Sequence, residues 1–390
     1  MNPSFWVFFP AVLLLGSWRC SIQTTPVLEG RIQPAEGWKP IVYLVQPRQF
    51  PEVASSFSGL VLDSAQVAPD GSFRFNKPPV ATGLLQLCVQ KVGSKFHHQL
   101  LDEVPLKANY LPLVWTGKGH LYIRSRADAF QSAFTIEQPD PENQALLHLR
   151  DLRHQAWQQE APNLDAEHDE DNLMEYEAAI RRFQAPLIQF SDTSTHWRAA
   201  MVAVRWTSPE GDYERIPECV MRQCNRWQSH PDAGIWFKFL CDKRSSLPVT
   251  IGEEIPDYPL PMAAGDTLQL RQLLGKKLTI LDIWASWCAP CRKENREVLQ
   301  PLWAAHQNDG LQIIGYSIDS SPVAWKAAIA KDEAIWSQAS HLSGDDTPFM
   351  QNLRISTIPA NFILDAHGKI LAKNLHGEAL NQFIAGYLRQ

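Results

Sequence analysis

The rhythm of apolar positions changes twice along the chain. Between residues 25 and 136 apolar residues come in short runs, Ile41 to Val45 (IVYLV), Gly59 to Leu62 and Leu84 to Val89 (LLQLCV), separated by turn signals such as Pro69-Asp70-Gly71. Short strands at that spacing predict a small β-sandwich or barrel. From Pro141 to about Lys243 the spacing becomes helical, with Leu146, Leu147, Leu149, Leu152 and Trp157 along one face and Glu175 to Phe183 and Trp197 to Trp206 continuing the trend. The stretch Ser245 to Pro261 carries four prolines and reads as the entry to another domain. Beyond it, Leu278 to Trp284 (LTILDIW) is nearly continuous apolar sequence, as a parallel strand covered on both faces requires, and Arg292 to His306 reads as a helix. The expected organisation is a leader over 1–24, a β-rich domain over 25–136, a helical region and linker over 137–250, and an α/β domain over 251–390.

A chain of 390 residues predicts two or three domains, and 45% hydrophobic with 20% charged residues is an ordinary globular composition. The formal net charge is −6 and no run of Lys or Arg exceeds two residues, so nothing neutralises a phosphate backbone and nucleic acid is excluded as a partner. The acidic run Asp165 to Asp171 contains His168, but successive loop residues seldom converge on one ion, so it reads as a solvated loop and no metal is expected there.

Phe5 to Gly16 (FWVFFPAVLLLG) is an apolar stretch of 12 residues, shorter than the ~20 a spanning helix needs and fitting the centre of a secretory signal. Export is expected. Cys20 would be a lipidation site, and a membrane attachment at the N-terminus, only in a signal of the lipoprotein kind, yet Trp18 and Arg19 precede it where small residues belong. Of the seven cysteines, removal of the leader leaves six, two of them in a Cys-x-x-Cys pair. Cys88, Cys219, Cys224 and Cys241 allow two bridges in three connectivities, or stay as buried thiols; spacing does not choose.

The chemistry sits in Ala285-Ser286-Trp287-Cys288-Ala289-Pro290-Cys291, between the apolar strand and the helix. Cysteines three apart at a helix start lie on one side of its first turn, so their sulfurs can close a small ring. Free N–H groups and the positive dipole end at that terminus favour a thiolate at Cys288, while Cys291, one turn in, should be more buried and suited to resolving a mixed disulfide. Pro290 falls where its missing N–H costs little. A zinc site would want a second ligand pair at suitable spacing, and none follows.

The string Asp282 to Glu294 (DIWASWCAPCRKE) resembles the exported thioredoxin-like thiol-disulfide oxidoreductases of the TlpA/ResA type, and ordered matches continue through Ile313 to Asp319 (IIGYSID), Trp325 and Trp336, Thr357-Ile358-Pro359, and Asn361 to Leu371 (NFILDAHGKIL). Val27 to Ile32 and Asp70 to Phe75 resemble the β domain that precedes such modules in exported proteins of Bacteroidetes-type bacteria, which implies placement or interaction and no chemistry of its own. The resemblance implies a multi-domain protein ending in an α/β thioredoxin-like fold, with Cys288 as attacking thiolate and Cys291 as resolving cysteine. It implies that Pro359 is cis and faces the pair, leaving the Ile358 backbone, beside Trp287, to meet an extended substrate. Asp282, six residues before Cys288, matches a buried acid that relays a proton to the resolving cysteine; a carboxylate in an apolar strand is costly without such a role. Glu294 matches an acid that tunes the pair. Arg296 stands where these proteins usually carry a kinking proline, so a straighter helix is expected.

What this implies is an exported disulfide reductant or exchanger that needs no cofactor beyond its own cysteine pair, takes protein disulfides as substrates and draws electrons from an upstream thiol donor. The rival from another class is a periplasmic or surface interaction protein in which the upstream domains bind a partner and the redox pair is secondary. A thiol peroxidase of the same fold would need Pro and Thr where Leu281 and Ala285 stand.

Overall fold

The computed structural model describes residues 27–54, 59–76, 82–97, 104–164, 173–355 and 357–389. The expected leader over 1–24, Cys20 and the acidic run 165–171 lie outside the described residues.

Among the described residues, eight strands precede the first α-helix: β1 (Val27–Gln33), β2 (Trp38–Gln46), β3 (Leu60–Gln66), β4 (Ser72–Arg74), β5 (Gly83–Lys91), β6 (Tyr110–Trp115), β7 (His120–Arg126) and β8 (Thr135–Ile136). They form two four-stranded sheets, β4-β1-β7-β8 and β3-β2-β5-β6. Gly30 of the Val27 to Ile32 motif sits opposite Ile123 in the parallel β1/β7 ladder, where a Cβ would come within 2.0 Å of the Ile123 carbonyl oxygen. Glycine is needed there for backbone approach.

The helices are α1 (Pro141–Leu164), α2 (Leu173–Thr193), α3 (Trp197–Thr207), α4 (Pro217–Trp227) and α5 (Gly234–Asp242). One hydrophobic core runs from the strands into them, taking in Leu44, Leu87 and Leu113 of the sheets with Leu149, Leu187 and Trp206 of the helices. Helix α3 is buried on all sides except at Arg198, so its alanines and valines pack in every direction. Polar groups stitch the layers together. The Asn143 amide of α1 accepts from the Val114 N–H and donates to the Val114 carbonyl, each at 2.8 Å, and the Trp206 indole donates to the Tyr110 hydroxyl at 3.0 Å. Trp197, Trp206 and Trp227 of these helices are all buried in that core. Cys224 and Cys241 form a disulfide that staples α4 to α5, whereas Cys88 and Cys219 are buried thiols whose pKa burial pushes up to about 12 and about 11.

The remaining elements are β9 (Pro259–Pro261), β10 (Thr267–Gln269), β11 (Leu278–Trp284), α6 (Ala289–Glu294), α7 (Gln300–His306), β12 (Leu311–Ser317), α8 (Pro322–Lys331), β13 (Ser337–Ala339), α9 (Pro348–Leu353), β14 (Ala360–Asp365), β15 (Ile370–Lys373) and α10 (Gly377–Leu388). The sheet order is β13-β12-β11-β14-β15, with β11, β12 and β13 parallel and β14 and β15 antiparallel. Every residue of β11 is buried. This C-terminal domain has the thioredoxin-like architecture expected of it, and the protein as a whole is multi-domain.

One expectation about the active-site helix is corrected. The helix is not a continuous α-helix: Asn295 to Leu299 forms a π turn between α6 and α7, in which the Gln300 N–H bonds to the Asn295 carbonyl five residues back. The cause lies downstream of Arg296. Pro301 has no N–H and its ring would crowd the carbonyl of residue 297, so the ladder opens ahead of it. Arg296 is free to serve another contact.

The upstream helices and the linker touch the C-terminal domain at specific points. Lys373 of β15 donates to the Val249 carbonyl at 2.6 Å and pairs with Glu218 of α4 at 3.3 Å, and Arg354 donates to the Leu247 carbonyl at 2.6 Å.

Candidate active site

Strand β11 ends at Trp284 and delivers the chain to Cys288, which occupies the N-cap position of α6 with extended backbone. The Cys288 sulfur accepts from the Cys291 N–H at 3.3 Å, the Cys288 N–H is tied to the Ala285 carbonyl at 3.1 Å, and the Cys288 carbonyl takes the Arg292 N–H at 3.0 Å. Proline at 290 fits this first turn because no N–H is needed there. Cys288 and Cys291 are joined in a disulfide, 5% and 2% exposed. Trp287, the neighbour of Cys288, is 65% exposed, a large apolar surface beside the reactive pair.

The Ile358–Pro359 peptide is cis. The β11/β14 register, Ile283 opposite Ala360, puts it at the end of the sheet from which the cysteine loop emerges. Ile358 is half-buried against the apolar cluster that contains both cysteines. Cys288, Cys291, Trp287, Ile358 and Pro359 thus gather at one sheet end.

The two acids are both buried. Asp282 is 3% exposed, and burial, reinforced by the nearby charge of Glu294, raises its pKa well above the usual carboxylate range. Among the described residues its carboxyl makes no hydrogen bond. A buried carboxyl whose pKa is raised in this way is suited to exchanging a proton. Glu294 is buried near the end of α6 and is met by His376, the N-cap residue of α10, whose Nδ1 lies 2.8 and 3.0 Å from the two carboxylate oxygens.

Several residues around the site were not singled out from sequence. Asp319, just past β12, accepts the Ser286 N–H at 2.8 Å and the Ser286 hydroxyl at 2.5 Å, pinning the loop that leads to Cys288; the Ser317 hydroxyl donates to it at 2.6 Å. Asp332, after α8, is fully buried and receives Arg292, whose Nη2 is 2.8 Å away and whose Nε also donates to it, together with Arg296 at 2.9 Å. Burial alone would raise the Asp332 pKa, but the two guanidinium partners prevail and hold it below the ordinary value. Arg292 also donates to the Ser286 carbonyl at 3.0 Å, so this clamp reaches the cysteine loop. Asp319 is the carboxylate that closes the apolar stretch Ile313 to Asp319, a weak signal; Asp332 and His376 have none, because their partners lie 40 and 82 positions away.

Among the described residues no group of three His, Cys, Asp or Glu side chains is placed to hold a metal ion, and no helix is long and apolar enough to cross a membrane. The arrangement offers a bonded sulfur pair, an apolar apron and a buried acid with a raised pKa.

Residues 251–373 match the family described as AhpC/TSA. Thiol-disulfide oxidoreductase ResA of Bacillus cereus is 26% identical over 152 residues, covering 39% of this chain and 83% of the relative. The thiol:disulfide interchange protein HelX of Rhodobacter capsulatus is 27% identical over 132 residues, 33% of this chain and 70% of HelX. Among solved structures, a thiol-disulfide oxidoreductase from Bacteroides fragilis is 32% identical and covers 34% of this chain and 98% of its own, with a TM-score of 0.33.

Proposed function

The C-terminal domain of this chain belongs to the thioredoxin-like thiol-disulfide oxidoreductases, and from that premise we propose that the protein works in an exported compartment, reducing or exchanging disulfides of other proteins through Cys288 and Cys291. The observation that carries the reading is the Cys288–Cys291 bond at a helix start, beside the exposed Trp287 and the cis Ile358–Pro359 peptide.

In the reducing direction the Cys288 thiolate attacks one sulfur of the substrate disulfide, and the other substrate sulfur leaves as a thiolate. Cys291 gives its proton to the Asp282 carboxylate and attacks the Cys288 sulfur; the second substrate thiolate leaves and the Cys288–Cys291 disulfide forms. Two electrons have passed to the substrate, and an upstream thiol donor must return them. The potentials of such pairs run from about −270 to about −120 mV, so donor and acceptor set the direction of flow. An extended substrate would pair with the Ile358 backbone and lie against Trp287.

Two features support export. Phe5 to Gly16 has the length and hydrophobicity of a signal core. The Cys224–Cys241 bridge lies in the upstream helices, away from the redox loop, and structural bridges of that kind persist in oxidising compartments. The upstream sheets and helices share one core and meet the redox domain through Lys373 and Arg354, and in this reading they limit which proteins reach the site.

Trapping with Cys291→Ala tests the reading. The variant should accumulate mixed disulfides on Cys288 with exported proteins, identified by mass spectrometry. No adduct in native extracts, or adducts with cytosolic proteins alone, would contradict it.

A further inference from the structure

The face of the central sheet behind the cysteine pair carries a polar cluster that the exchange steps above use only in part. Asp282 of β11 and Asn361 of β14 are direct register partners, so their side chains emerge on the same face. Asn361 is buried and spends its amide on the chain just before α10: Nδ2 donates to the Leu375 carbonyl at 2.6 Å and Oδ1 accepts the Leu375 N–H at 3.1 Å. That grip fixes the backbone of the residue preceding His376. His376 in turn lies against both oxygens of Glu294, and Glu294 faces Asp282 electrostatically. The cluster closes on itself, from Asp282 through Asn361, Leu375 and His376 to Glu294 and back to the field at Asp282.

Resting on the thiol-disulfide exchange proposed above, we infer that His376 is a positioning residue for the resolving step: it holds the Glu294 carboxylate opposite Asp282 and thereby sets the pH at which Cys291 hands over its proton. The titratable and charged groups facing Glu294 are His376 from the α10 cap, Asp282 from β11 and Arg181 from α2 of the upstream helices. Burial pushes the Arg181 guanidinium below its usual value, while Glu177 and Glu294 oppose that shift. Arg181 thus brings the upstream region into the same electrostatic cluster.

The physical consequence of removing His376 has a definite sign. Without His376 the Glu294 carboxylate is no longer held in place, its charge acts less on Asp282, and the Asp282 titration moves to lower pH. Glu294→Gln removes the same charge directly. Both variants should therefore shift the profile in one direction, and the two together should do no more than either alone, because they act through one charge.

The test follows single-turnover oxidation of the reduced full-length protein by a peptide disulfide across the acid and neutral range, with wild type, His376→Ala, Glu294→Gln, the double variant and His376→Asn. His376→Ala and Glu294→Gln should each change the rate at fixed pH by about threefold or more, the equivalent of half a pKa unit. The double variant should match Glu294→Gln, and His376→Asn, whose amide can still donate from the same N-cap position, should track wild type. A His376→Ala profile superimposed on wild type, or one whose shift adds in full to that of Glu294→Gln, overturns the inference. Should His376→Ala fail to fold, Glu294→Gln superimposed on wild type, or His376→Asn displaced as far as Glu294→Gln, overturns it equally. A wild-type protein with no dithiol cycle would instead overturn the function on which the inference rests.

Discussion

Replacing Asp332 by Asn keeps the shape of the side chain and removes its charge. The Arg292 guanidinium is 16% exposed and Arg296 46%, while the carboxylate itself is fully buried. The Arg292 arm is a bidentate, charge-assisted pair in a mostly dry setting; hydrogen bonds to charged groups are worth about 1.5 to 3 kcal/mol, and the upper part of that range applies. The Arg296 arm is nearly half in water and adds at most about 1 kcal/mol. Asp332→Asn should therefore cost the C-terminal domain about 3 kcal/mol, and Arg296→Gln no more than about 1 kcal/mol. The pH dependence follows from the lowered pKa of Asp332. A carboxylate depressed in the folded state stabilises fully above its unfolded value, near 3.8, and that contribution is lost as pH falls through the still lower folded value. The gap between wild type and Asp332→Asn should thus be constant at neutral pH and close only in strong acid. Urea unfolding followed by far-UV circular dichroism and by fluorescence of the buried tryptophans measures it. A cost below about 0.5 kcal/mol at neutral pH, or equal costs for Asp332→Asn and Arg296→Gln, would refute the assignment of the Arg292 arm as the stronger one.

Other outcomes follow from the same structure. Cys224→Ser with Cys241→Ser opens a loop closed over a separation of 17 residues, and the upstream region should lose about 3 kcal/mol in thermal or urea unfolding while the Cys288–Cys291 potential is unchanged. Asp282→Asn removes a carboxyl whose folded pKa is raised; such a group loses stability as pH rises above its unfolded value, so the variant should be more stable than wild type at neutral pH in urea unfolding, yet accumulate mixed disulfide during turnover. Trp287→Ala, at a site 65% exposed, should change stability by less than about 0.5 kcal/mol while raising KM for protein disulfides more than for a small disulfide.

What the sequence makes legible here is what it writes locally. The run Leu278 to Trp284, the Cys-x-x-Cys pair and the helix after it are adjacent in the chain, and each imposes its own structure through burial, spacing and the free N–H groups of a helix start. Asp282 betrays itself as an acid in an apolar strand. The positioning groups are written nowhere near the site. Asp319 and Asp332 reach Ser286 and Arg292 only because β12 and α8 pack beside β11 and α6, and His376 meets Glu294 across the fold. The Arg296 position invites the expectation of an uninterrupted helix because a single missing proline draws attention; Pro301, one turn on, opens the ladder instead. Helix α3 reads as a helix with a polar side at Arg198 and Arg205, yet the fold encloses Arg205 as well, and so the shared upstream core is a tertiary fact. Of the bridges allowed for Cys88, Cys219, Cys224 and Cys241, only packing selects Cys224–Cys241.

A redox titration of the purified full-length protein against a thiol buffer, with each cysteine's state read by alkylation and mass spectrometry, tests the central claim most directly. The account predicts a single two-electron couple at Cys288 and Cys291, absent in Cys288→Ala, while Cys224 and Cys241 stay bonded throughout. Normal disulfide reductase activity in Cys288→Ala, or a couple that titrates at Cys224 and Cys241 instead, would contradict it.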